Sequence, residues 1–134
     1  MADPHPLQTH LAADDAEQEA QWGRLQTWVK ERFGKEPGIE EILFLIGVQS
    51  LGRGFEPHLD KETKQALIME GTYCAFATLG IYERVGMEDN GHWIWDRRIA
   101  PPPDLSVDEQ EKLLRAAILR YFETILNASD SHEA

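Results

Sequence analysis

The sequence predicts an all-α fold, a four-helix bundle with a short β-hairpin or loop inserted between the third and fourth helices. Three observations predict it. Residues 42–48, Ile-Leu-Phe-Leu-Ile-Gly-Val, are all large and apolar except Gly47, and a helix that is hydrophobic all round belongs in an interior. Residues 67–79 are nearly as apolar around the whole helical circumference. Segments 16–33 and 107–126 carry apolar residues at helical spacing, the second behind a capping box.

With 134 residues, 42% hydrophobic and 28% charged, the chain reads as one ordinary globular domain, long enough to bury a core without staples. The expected organisation is a flexible N-terminal arm over residues 1–15, a single helical domain over 16–127 and a flexible C-terminal tail over 128–134. The opening Met-Ala-Asp-Pro-His-Pro has neither the basic start nor the apolar stretch of a signal peptide. The lone cysteine, Cys74, has no internal disulfide partner. Both features point to the cytoplasm. No apolar run approaches the ~20 residues a bilayer requires, so no membrane contact is expected. The formal net charge of -11 argues against nucleic acid and leaves room for a basic protein partner.

The arm is rich in Asp, Pro, His and Ala without periodicity, and His5 and His10 read there as solvated side chains. The first helix follows from Trp22, Leu25, Val29 and Phe33, which form one stripe, and Gly34 ends it. The second is the buried run at 39–51, and the competing reading there is a buried strand. Pro37 ahead of it and Glu40 and Glu41 in its first turn favour a helix. Gly52 and Gly54 follow where it should stop.

Asp60 is a natural N-cap for the third helix, which should run to about Gly80. Its first turn is polar. Beyond Ala66, Leu67, Ile68, Met69, Tyr73, Phe76 and Leu79 cover most of the circumference, and Gly71 invites a neighbouring backbone to approach. Asn90-Gly91 then marks a two-residue hairpin turn, and in that register Trp93 and Trp95 share one face. Such a hairpin must lean on the helices through those indoles, because a lone hairpin is marginal in water. Three consecutive prolines from Pro101 make a stiff connector. Ser106-Val-Asp-Glu109 is a capping box for the fourth helix, which should end near Asn127. Leu113, Leu114, Ala117, Ile118, Tyr121, Phe122, Ile125 and Leu126 spread over more of that helix than one packing contact covers. That breadth, with the aromatics Trp93 and Trp95, predicts a homodimer.

The chain carries no Gly-rich phosphate loop, Cys-x-x-Cys, His-Glu-x-x-His or Gly-x-Ser-x-Gly. No catalytic residues and no cofactor are therefore expected. Two weaker constellations stand out. Glu56, His58 and Asp60 alternate in the loop before the third helix and could converge with His92 on a divalent metal, although alternating polar loop residues are usually just solvated. Arg53, between two glycines ahead of a helix, could hold an anion, and Trp93 and Trp95 could flank a ligand. Cys74 lies among apolar neighbours and reads as a small buried hydrophobe. The leading expectation is thus a non-enzymatic helical interaction or scaffold module acting as a homodimer. The alternative is a small-molecule or metal-binding protein, with enzyme activity as one form of it, using Glu56, His58, Asp60 and His92.

Ile42-Leu-Phe-Leu-Ile-Gly-Val-Gln49 with Leu51-Gly52, Asp60-Lys-Glu-Thr-Lys-Gln-Ala-Leu-Ile68 and Gly80-Ile-Tyr-Glu83 resemble a family of short uncharacterised bacterial helical proteins to which no activity is assigned. The likeness spans roughly residues 40 to 125. In that family an acidic residue, Gly and an aromatic follow one another after the third helix, whereas here His92 separates Gly91 from Trp93. The resemblance implies no function.

Overall fold

A computed structural model describes residues 5–52 and 58–132, with side chains as far as Glu123. These residues form helices α1 (Gln8–Leu11), α2 (Asp15–Phe33), α3 (Ile39–Ser50), α4 (Lys61–Ala77) and α5 (Val107–His132). Strands β1 (Tyr82–Met87) and β2 (Trp93–Arg97) lie between α4 and α5. The helices associate in two groups, α3 against α4 and both α1 and α2 against α5. The chain accordingly divides into two compact units, Pro37–Ala100 and the remainder up to Glu36 and from Pro101 onward. Both divisions fall at proline, which cannot continue a helix from the preceding turn. One four-helix bundle is therefore not confirmed, and the class is mainly helical with a small antiparallel sheet. No described helix is long and apolar enough to cross a membrane.

In the first unit, Asp14 caps α2 by accepting from the Glu17 amide at 3.0 Å. Trp22, Leu25 and Val29 of the expected stripe are buried, but Phe33 in the last turn of α2 is 55% exposed; Leu113, Ala117, Ile118 and Phe122 are buried on α5. Trp28 meets Phe122 with ring centroids 5.9 Å apart. The capping box forms as its residues dictate, with Ser106 and Glu109 each accepting from the other's amide at 3.1 Å. Two expectations about the ends differ from what forms. Within the arm, residues 8–11 make a helical turn, because the apolar side chain Leu7 is fully buried and anchors it. At the other end α5 continues past Asn127 to His132, since no Gly or Pro stands there to stop it.

The second unit is built on one contact. Gly47 of α3 and Gly71 of α4 lie where the two backbones touch: a Cβ on Gly47 would sit 1.9 Å from the Leu67 carbonyl oxygen, and one on Gly71 equally close to that of Leu43. Pairing 47 with 67 and 43 with 71 makes the helices antiparallel. Ile42, Leu43 and Ile46 are buried with Leu67 and Ala75. The expectation that α3 is enclosed on every side is not met, because Phe44, Leu45, Val48 and Leu51 keep partial exposure.

The hairpin forms where Asn90-Gly91 placed it, but with a longer loop. Glu88 and His92 are paired through Glu88 N–H to His92 O at 2.8 Å, and the Gly91 amide donates to Glu88 O at 3.0 Å. Only Gly91 takes positive φ, at 87°. The Asn90 side chain accepts from the His92 amide at 3.0 Å, and this local bond suits a loop of three residues ending in a left-handed glycine. A register shift between Arg84 and Gly86 leaves Val85 as an extra residue, and Arg84 lies opposite Trp95.

The glycine contact yields a test with two signs. Gly47→Ala should lower stability by about 3 kcal/mol in urea denaturation, because the clash is with backbone and the helices must separate. Gly23→Ala on α2, where a Cβ meets nothing within 4 Å, should instead stabilise by about 0.5–1 kcal/mol.

Candidate functional site

Glu70 is the only charged residue between Ala66 and Leu79, and it is 5% exposed. A carboxylate in that position needs donors. Two neighbours supply them: Trp95 Nε1 donates to both carboxylate oxygens at 3.3 and 3.2 Å, and the Ser50 hydroxyl donates to Oε1 at 3.2 Å. Ser50 is the last residue of α3. Its hydroxyl accepts from Arg84 Nη2 at 3.2 Å, and its carbonyl accepts from Trp93 Nε1 at 3.1 Å. Arg84 in turn lies over the two indoles, 4.0 Å from the Trp93 ring centroid and 5.0 Å from that of Trp95. The guanidinium and the buried carboxylate are thus joined through one hydroxyl, with aromatic faces supplying further attraction to the cation.

Aromatic contacts complete the seat. Tyr73 of α4 stacks on Trp95 at 6.0 Å and meets Tyr82 of β1 edge-on at 4.9 Å. Cys74, one turn from Glu70, is half-buried. Burial pushes its thiol up, the Ser50 hydroxyl and Arg84 pull the other way, and Glu70 pushes it up again. The net rise keeps the thiol protonated at neutral pH, the opposite of what a nucleophilic cysteine requires.

The residues singled out from sequence fare unequally. Trp93 and Trp95 do share a face and come together with Arg84, but both indole N–H groups are already engaged. Asp60 is the N-cap of α4, accepting from the Thr63 amide at 2.7 Å. Hydrogen bonding to the Thr63 side chain, then to its amide, holds the Asp60 carboxyl below its ordinary range. His58 is exposed. His92 sits by the start of α4, lining a shallow depression with Glu62, Thr63, Ala66 and Leu67. Arg53 and Glu56 lie outside the described residues. Among the described residues no three His, Cys, Asp or Glu side chains gather as a metal site. Arg98 pairs with Glu83 at 2.7 Å and Asp96 at 3.4 Å.

Ser50, Glu70 and Arg84 were not expected at a site. Glu70 did carry a signal, as a single charge inside an apolar helical stretch, since such a residue is rarely buried without partners. Ser50 and Arg84 carried none. No family model, curated protein or solved structure matches the chain.

Trp95→Phe keeps the ring but leaves Glu70 without its indole donor. It should destabilise by about 2 kcal/mol in chemical denaturation, and Glu70→Gln in the same background should recover part of that loss by removing the buried charge. Equal stabilities for Trp95→Phe and the parent chain would mean that water already serves the carboxylate.

Proposed function

We propose that the chain is a non-enzymatic helical interaction module that acts as a homodimer, with the two copies meeting on the α3–α4 pair. One observation carries this reading. At 100° per residue, Ser50 and Glu70 mark the side of the pair on which the hairpin sits. The opposite side presents Phe44, Val48 and Leu51 from α3 with Ile68, Thr72 and Phe76 from α4, none of them fully buried. Met69, at the edge of this side, is 54% exposed. Part-exposed apolar side chains running across two helices are the kind of surface that marks an interaction site, and a two-fold copy of itself is the commonest partner for one.

A further point supports the reading, and another supplies its test. The titratable groups of the hairpin seat serve one another, Glu70 being held by Ser50 and Trp95 and the Cys74 thiol being pushed up. That arrangement fastens β1 and β2 to α3 and α4, leaving the far side of the pair for association. The charge of -11 per chain also distinguishes self-association from capture of a basic protein. Two acidic copies repel, so added salt tightens a homodimer, whereas it weakens a complex with a cationic partner.

Light scattering at micromolar concentration should therefore return the dimer mass, with dissociation falling as salt is raised. Val48→Glu should give a monomer of unchanged helicity by circular dichroism. A monomer mass for the parent chain at all salt concentrations would overturn the proposal.

A further inference from the structure

A cavity of about 380 Å³ lies within the first unit, between α1, α2 and α5. Its lining comes from Gln21, Arg24 and Leu25 on α2 and Ala116, Leu119, Arg120 and Glu123 on α5, with His10 of α1. The floor is apolar, since Leu25 and Phe122 are buried. The cavity's exposed charged residues are Arg24, Arg120 and Glu123, a net positive rim in a chain with 24 acidic and 13 basic residues.

The pairing of cations in this unit sharpens the contrast. Lys112 lies 2.7 Å from Asp15, and Arg115 3.0 Å from Glu19. Arg24 and Arg120, by comparison, have no ion pair among the described residues, although Glu123 also lines the cavity. Burial, and then the neighbouring Arg120, hold the His10 imidazole below its ordinary range, so it is neutral at pH 7 and offers an N–H. Two guanidinium groups and an imidazole at the mouth of an apolar cavity are a donor set for a carboxylate or phosphate, and guanidinium can bind either in a forked geometry. The volume falls at the small end of ligand cavities, roughly 300–1,000 Å³.

We propose that this cavity binds a small amphipathic anion, its carboxylate or phosphate headgroup held by Arg24, Arg120 and His10 and its apolar body resting on Leu25, Leu119 and Phe122. Its residues belong to neither the hairpin seat nor the α3–α4 face, so it stands whether or not the chain dimerises.

Calorimetric titration of the full chain tests it, with benzoate and phenyl phosphate as probes and benzyl alcohol and inorganic phosphate as controls. At least one of the two probes should bind more tightly than about 1 mM, and whichever binds more tightly identifies the headgroup. Arg24→Gln and Arg120→Gln, both at exposed positions, should each weaken that binding by about tenfold. Inorganic phosphate, which lacks an apolar body, should bind more weakly, and benzyl alcohol should not register.

The pH dependence gives a second reading. His10 faces Arg120 and Glu123 from α5 and Arg24 and Gln21 from α2. A bound anion offsets Arg120 and raises the imidazole's affinity for a proton, so binding should tighten as pH is lowered, and His10→Gln should flatten that slope. Benzyl alcohol binding as well as the probes, affinity unchanged in the two arginine variants, or neither probe binding would overturn the proposal.

Discussion

The second unit depends on two helices approaching until their backbones touch. Gly47 and Gly71 permit it, because a single methyl at either position would collide with a carbonyl oxygen of the facing helix. Close approach multiplies short-range contacts between the flanking side chains Leu43, Ile46, Leu67 and Ala75. It also determines which sides of α3 and α4 are left over. One takes the hairpin and the other remains partly open, so the seat of Glu70 and the apolar face with Phe44 and Phe76 both follow from the same crossing.

The hairpin is held by chemistry rather than by area. Two strands alone bury little, and here Trp93 and Trp95 reach past the sheet to acceptors on separate helices, the Ser50 carbonyl at the end of α3 and the Glu70 carboxylate inside α4. The carboxylate would be costly by itself. With an indole N–H, a hydroxyl and a guanidinium one bond further away, it becomes a specific anchor that fixes where the sheet sits. Val85, the extra residue beside Arg84, belongs to this arrangement, since a bulge re-aims the strand next to it.

Local features were the legible part of the sequence. The Ser106–Glu109 box, the Asp60 cap, the end of α2 at Gly34 and the shared face of Trp93 and Trp95 rest on residues a few positions apart, and the structure contains all of them. The loop length at Asn90-Gly91 was not legible, because it turns on whether the Asn90 side chain binds the next amide but one. Long-range pairings were hidden for a plainer reason. Trp93 and Ser50 are 43 positions apart and Trp95 and Glu70 are 25 apart, and nothing in either neighbourhood points to the other. The apolar run 42–48 announced a helix but not its surroundings, since composition cannot tell a side covered within the chain from a side kept for a partner. Arg24, Arg120 and His10 lie on three different helices and look like solvated residues until the helices are packed.

Native-state hydrogen exchange tests the central claim most directly. If the Gly47–Gly71 crossing organises the second unit, the amides of residues 43–47 and 67–71 should be the last in that unit to exchange, opening only with its complete unfolding, while the amides of β1 and β2 open earlier. Rapid exchange of the residue 43–47 amides under conditions where the hairpin stays protected would contradict it, placing the organising contact in the sheet instead.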